Sequence, residues 1–214
     1  MNGRESHDFS RGRDVKGRFI AFEGGEASGK STQARRLAEA LGAVLTHEPG
    51  GTELGRGIRR LVLSPGGEEP VDSRAEALLL AADRAQHAAS VIRPALLAGR
   101  DVVTDRYAGS SLAYQGYGRG LPVADVRRLS EWATEGLWPD LVVFLRVPFD
   151  VSRARLASSR AGPDRLEAAG DDFHRRVEEG FEALAAECPD TWRLVEAVGT
   201  IDEVAARVAE AAQP

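Results

Sequence analysis

Four residues set the chemistry open to this chain. Gly24, Gly29, Lys30 and Ser31 fall on the spacing G-x-x-x-x-G-K-[ST] within Phe19-Ile-Ala-Phe-Glu-Gly-Gly-Glu-Ala-Ser-Gly-Lys-Ser-Thr32. Glycine lets a backbone curl until successive N–H groups point inward at an anion. A lysine ammonium closing that curl reaches the outer phosphates of a nucleoside triphosphate, and the next hydroxyl takes a magnesium position. Lysine occurs in this chain only at Lys16 and Lys30, arginine serving elsewhere. The position therefore asks for a compact ammonium and not a planar fork.

Phosphate loops serve motors, switches and small kinases alike, so the companions decide. Asp105-Arg106 pairs an acid suited to a magnesium water with a guanidinium suited to bidentate phosphate binding; a surface ion pair beside a turn is the plainer alternative. Arg160, Asp164 and Arg165 lie in a polar loop, Ser158-Ser-Arg-Ala-Gly-Pro-Asp-Arg165. An arginine closing over the transferred phosphoryl group stabilises its spread charge, and a lid excludes competing water. A solvated loop whose arginines only aid solubility also fits. Asp83-Arg84 sits in a helical pattern one turn beyond Leu80, so Leu80 and Arg84 can face one pocket. Trp132 and Trp138 read as core or interface groups.

These residues need elements to hold them. Phe19 to Phe22 is an apolar strand entering the glycine loop. Ala34, Leu37, Ala38 and Leu41 recur at helical spacing beyond it, aiming a helix N-terminus at the anion. Gly42 caps that helix. Strands are expected at Ala43–Thr46, Asp101–Asp105, Leu141–Leu145 and Trp192–Val195. Helices are expected from Thr52, from Ser73 to Leu97, from Pro122 to Glu135, from Pro148 to Ala157, from Asp171 to Glu187 and after Thr200. Ser73-x-x-Glu76 and Thr200-x-x-Glu203 both read as capping boxes. Strands alternating with helices predict a three-layer α/β/α fold around a five-stranded parallel sheet, with ligands at the strand C-termini. One domain is expected over residues 18–214, with a lid at about 158–167 and a flexible tail over residues 1–17.

The totals bound the partners. The chain has 214 residues and a net charge of -5, which suits one globular domain and argues against wrapping polymeric nucleic acid. Cys188 is the sole cysteine, so no internal disulfide forms and a cytoplasmic home is expected. No apolar run is long enough to span a membrane.

From Arg18 onward the chain resembles bacterial thymidylate kinases (dTMP kinases), whose fold is of the P-loop NTPase kind. The resemblance is carried by the phosphate loop, by His47-Glu-Pro-Gly-Gly-Thr52, by Leu80-Ala-Ala-Asp-Arg84 with Gln86-His87, by Asp105-Arg-Tyr107 with Ser110, Ser111, Tyr114 and Gln115, and by Asp164-Arg-Leu-Glu167. It implies transfer of the γ-phosphate of ATP to dTMP, with Mg2+ and a homodimer. It implies that ATP lies on Gly24, Gly25, Glu26, Ala27, Ser28, Gly29, Lys30, Ser31 and Thr32, with the metal near Ser31, Asp105 and Glu26. Arg106 and Arg59 would hold the acceptor phosphate, and Glu26 would approach the acceptor's sugar hydroxyl. Leu80, Arg84, Ser111 and Gln115 would meet the base, and Tyr114 would crowd the 2′ position. Since Gly25 to Ser28 holds no arginine, the resemblance assigns the catalytic arginine to Arg160 in the lid, with Arg153 and Arg165 as second choices. Two residues depart from the family pattern. Leu80 stands where an aromatic ring is usual, and His47 where an arginine is usual, so a kinase of another or modified pyrimidine monophosphate is the alternative.

Overall fold

The computed structural model describes residues 17–64, 70–158 and 164–213. Five parallel strands form one sheet in the order β2-β3-β1-β4-β5: β1 Phe19–Glu23, β2 Val44–His47, β3 Val102–Asp105, β4 Leu141–Arg146 and β5 Trp192–Glu196. Side chains alternate across a strand with period two, and β1 shows what that does here. Ile20 and Phe22 join a core with Ala34, Leu37, Val204 and Val208 under helices α1 (Lys30–Leu41) and α9 (Ile201–Ala211). Phe19 and Ala21 face the opposite layer, beside Ile92, Leu96 and Tyr107. The buried run on β4 splits the same way, Leu141, Val143 and Leu145 to one side and Val142 and Phe144 to the other. Two covered faces explain why β1 and β4 read as continuous apolar runs.

The remaining described helices are α2 (Glu53–Leu63), α3 (Ser73–His87), α4 (Arg93–Leu97), α5 (Ala108–Ser111), α6 (Val123–Thr134), α7 (Phe149–Ala157) and α8 (Asp171–Glu187). Thr52 caps α2 by accepting from the Gly55 N–H. The capping box at Thr200 and Glu203 forms as expected.

Two local expectations give way. The cap of α3 is Asp72, whose carboxylate accepts from the N–H groups of Arg74 and Ala75. Ser73 and Glu76 form no box, because Glu76 is fully buried and spends its carboxylate elsewhere. The long helix expected to Leu97 is interrupted by a π-helical turn at Ala88–Ile92, just before Pro94 opens α4. A proline has no N–H for the preceding turn, and a wider turn accommodates it. The glycine-bearing stretch after Tyr107 is helical throughout, α5 passing into a π-helical segment at Leu112–Gly118. Its weak propensity is overridden by burial of Leu112, Ala113 and Tyr114 against Phe173, Val177 and Phe181 of α8. Trp138 is partly buried against two cores, whereas Trp132 on α6 is 81% exposed and is not a core residue.

Candidate active site

Parallel strands bring their C-terminal ends to one edge, and here the ends of β2, β3 and β1 are neighbours. Asp105 sits between Phe22 of β1 and His47 of β2 in register. The three segments that leave these ends carry the sequence motifs. They line a cleft of about 750 Å³ whose walls include Lys30, Ser31, Arg59, Asp105, Arg106, Tyr114 and Gln115.

The loop after β1 turns at Gly24, where φ is +144°, and a Cβ there would lie 2.5 Å from the Leu145 carbonyl oxygen. At Gly29, φ is +88° as the chain enters α1. Lys30 is buried in the curl, donating to the Gly25 carbonyl and, at 3.1 Å, to Ser28 Oγ. Burial lowers its pKa to about 8, the nearby Arg106 adding to the effect against the pull of Glu26, Asp105 and Glu23. Ser31 donates to one oxygen of Asp105, and the other Asp105 oxygen is buried without a partner among the described residues.

Arg106 follows β3 with φ at +71°, a costly conformation for a side chain this large. Its amide is held by the Phe22 carbonyl at 2.9 Å, and its own carbonyl accepts from Thr104 Oγ1 at 2.9 Å. The guanidinium forks across Gly24 O (3.1 Å), Ser110 Oγ (3.1 Å), Glu26 Oε1 (2.8 Å) and the Tyr114 hydroxyl (3.2 Å). Tyr114 also donates to Glu26. Burial opposes the Glu26 charge, but Arg106 and then Lys30 outweigh it, and the Glu26 pKa falls to about 2. Behind them Glu23 accepts from the Tyr107 N–H at 3.0 Å and from Ser110 Oγ at 2.6 Å. Burial raises its pKa to about 7 against the pull of Ser110 and Arg106. Ser110 thus links Glu23 to Arg106.

Arg84 is buried, its Nε on Glu48 (2.8 Å) and its remaining nitrogens on Ser111 Oγ (3.0 Å), Tyr107 O (3.3 Å) and Ser130 Oγ (3.3 Å). Four of its five donors are therefore engaged by the protein. Glu48 also meets His87 Nδ1 at 2.9 Å, and His87 Nε2 meets Thr46 Oγ1 at 2.6 Å. Leu80 lines the cleft and packs with Ile58 and Val62. Arg59 lines it too, anchored on the Pro49 carbonyl at 3.0 Å.

Of the lid residues, Asp164 and Glu167 line the cleft, the Asp164 carboxylate accepting from the N–H groups of Leu166 and Glu167. Arg165 turns instead to Glu76 at 2.6 Å, and Arg153 pairs with Asp171 at 3.2 Å. Neither is among the cleft-lining residues. Arg160 lies outside the described residues, as do residues 1–16 of the expected tail.

Several working side chains carried no role in the sequence reading. Arg155 reaches the Ala27 carbonyl at 3.2 Å and the Ala197 carbonyl at 3.1 Å, tying the phosphate loop to the turn after β5. Ser152 donates to Glu26 O at 2.8 Å. Glu48 and His87 lie within the His47–Thr52 and Leu80–His87 segments, but nothing local in the sequence tells that they share a buried network with Arg84.

An ammonium in a backbone curl, a hydroxyl–carboxylate pair and a forked guanidinium in one cleft suit transfer between two phosphorylated ligands. Comparison with known proteins names the same chemistry. The thymidylate kinase family profile matches residues 22–208. A thymidylate kinase of Leifsonia xyli is 50% identical over 197 residues, covering 90% of this chain and 92% of that protein. One from Cutibacterium acnes is 50% identical over 186 residues, covering 85% and 89%. The crystal structure of thymidylate kinase from Ehrlichia chaffeensis superposes with a TM-score of 0.74 at 30% identity, covering 92% of this chain and 99% of that one. By profile, by sequence over most of its length and by fold, this chain belongs to the thymidylate kinase family, enzymes that move a phosphoryl group from ATP to a nucleoside monophosphate.

Proposed function

We propose that the chain transfers the γ-phosphate of ATP to dTMP, giving ADP and dTDP. The observation that carries the reading is the sharing of one cleft by Lys30, Arg59 and Arg106. Lys30 and the loop amides bind the donor phosphates, and Arg106 and Arg59 bind the acceptor phosphate. The attacking oxygen is already anionic, so no strong base is needed; alignment and charge neutralisation supply the rate. Tyr114 closes the wall beside the sugar, and Gln115 presents an acceptor to the base.

Magnesium fits Ser31 and Asp105: both offer oxygen, and the second Asp105 oxygen is buried and unpartnered among the described residues. No group of three or more His, Cys, Asp or Glu side chains that could hold a metal occurs among the described residues, so Ser31 and Asp105 would hold the ion together with phosphate oxygens and water. Bound with ATP, the ion neutralises phosphate charge. Glu26 is held as the partner of Arg106, and from that placement it would approach the acceptor's sugar hydroxyl and the metal.

We also propose a homodimer and a cytoplasmic location. A homodimer would cover Trp132, a residue 81% exposed on α6. No helix of the described residues is long and apolar enough to cross a membrane, and the net charge of -5 disfavours polymeric nucleic acid. With Cys188 as sole cysteine, a cytoplasmic enzyme is the consistent reading.

Measurement of ADP release across dTMP, dUMP, UMP, dCMP and thymidine tests the assignment. The highest kcat/KM should belong to dTMP. Leu80 in place of a stacking ring favours a second reading, an enzyme for another pyrimidine monophosphate, and a different leader in that panel would establish it.

Lys30 also sets the pH dependence. With its pKa lowered to about 8, the free enzyme loses the ammonium as pH rises through that value. The kcat/KM for ATP should therefore decline above about pH 8. Bound triphosphate favours the charged lysine, so the same limb should move upward in kcat. A kcat/KM flat to pH 10 would contradict this role.

A further inference from the structure

Glu76 is fully buried on α3, and each of its oxygens does a different job. Oε1 accepts from Gln115 Nε2 at 2.7 Å, and Oε2 accepts from Arg165 Nη2 at 2.6 Å. Arg119 bridges the two at 3.3 and 3.1 Å. Arg165 is further fixed by the Val62 carbonyl at 2.7 Å, and its backbone N–H by the Leu63 carbonyl at 3.1 Å. Burial works against the Glu76 charge, but hydrogen bonds from Arg119 and Gln115 outweigh it and keep the carboxyl below its usual range.

An ionised carboxylate accepts and cannot donate. The Gln115 amide must therefore turn its NH2 toward Glu76, since the flipped amide would set two acceptor oxygens against each other. Its Oε1 is left buried without a partner among the described residues, on a side chain that lines the cleft. Such an orphan acceptor is costly unless a ligand donor meets it.

We propose that Glu76 is a positioning residue that fixes the hydrogen-bonding polarity of Gln115, and so selects bases carrying a ring imide N–H, while tying that reader to the Asp164–Glu167 turn through Arg165. The proposal rests on the reading of the cleft as the acceptor nucleotide's site. A ring N–H of thymine or uracil pairs with the Gln115 carbonyl, whereas the unprotonated ring nitrogen of cytosine sets a lone pair against it. The base reader and the Asp164–Glu167 turn share one carboxylate, so base choice and the placement of that turn are set together.

The test measures kcat and KM for dTMP and dCMP, with thermal unfolding, in the full chain carrying Glu76→Gln or Gln115→Leu. In Glu76→Gln the neutral partner tolerates either amide orientation. The dTMP-over-dCMP ratio of kcat/KM should fall by about tenfold or more, mainly through KM for dTMP, with KM for ATP unchanged. Unchanged selectivity in folded Glu76→Gln, with selectivity lost in Gln115→Leu, overturns the role of Glu76. Unchanged selectivity in Gln115→Leu overturns the underlying reading of the cleft instead. Should Glu76→Gln fail to fold, nitrogen-15 NMR of the native Gln115 side-chain amide decides. An NH2 pair already held before dTMP is added, and unmoved by it, supports the proposal. An amide that reorients on dTMP binding overturns it.

Discussion

Lys30→Ala is expected to lower kcat by about a thousandfold with both substrates saturating. Lys30 is buried in the curl and its contacts are with its own loop, Gly25 O and Ser28 Oγ, so the sheet core does not depend on it. Burial already pulls its pKa down to about 8, which means that the fold tolerates the ammonium more than it benefits from it. Glu26 keeps its bond to Arg106 when Lys30 is gone, so no carboxylate is stranded. The loss should therefore appear in rate, with little change in thermal unfolding. Cys188→Ala, at the C-cap of α8 and outside the cleft, should retain native turnover in the same assay. A Lys30→Ala enzyme within tenfold of the native rate would remove the ammonium from the chemistry.

Arg106→Ala should lower kcat/KM for dTMP by about a thousandfold or more, and it should also disturb the site beyond the missing phosphate contact. The guanidinium is the hub of Gly24 O, Ser110, Glu26 and Tyr114. Without it Glu26 loses the largest of the forces that hold its pKa near 2, and that pKa rises. Lys30 loses a neighbouring cation and its pKa rises from about 8. The alkaline limb of kcat/KM for ATP should therefore move to higher pH in Arg106→Ala, a donor-side signature of an acceptor-side change. Arg106→Lys restores charge without the fork, and should recover the pH limb better than it recovers dTMP binding. Native KM and kcat for dTMP in Arg106→Ala would refute the assignment.

The sequence alone determined the phosphate loop, because its chemistry is local: a strand, a glycine curl, a lysine and a helix N-terminus occupy consecutive residues. It determined the alternation of strands and helices, since Ile20 and Phe22 against Phe19 and Ala21 write the two covered faces directly into the chain. It also brought Arg59, Leu80, Arg84 and Gln115 under suspicion by resemblance, and all four line the cleft. Tertiary structure decided what those side chains do with their polar atoms. Ser73-x-x-Glu76 has the spacing of a cap, yet Asp72 takes that duty and Glu76 goes to Gln115, Arg119 and Arg165. A capping pattern records only separation along the chain, whereas a buried carboxylate answers to whichever donors the packing brings from 39 to 89 residues away. Arg84 likewise looked free to read a base and spends four donors on protein acceptors. Spacing tells which residue types can meet; only the packed chain settles how many of their hydrogen bonds remain for a ligand.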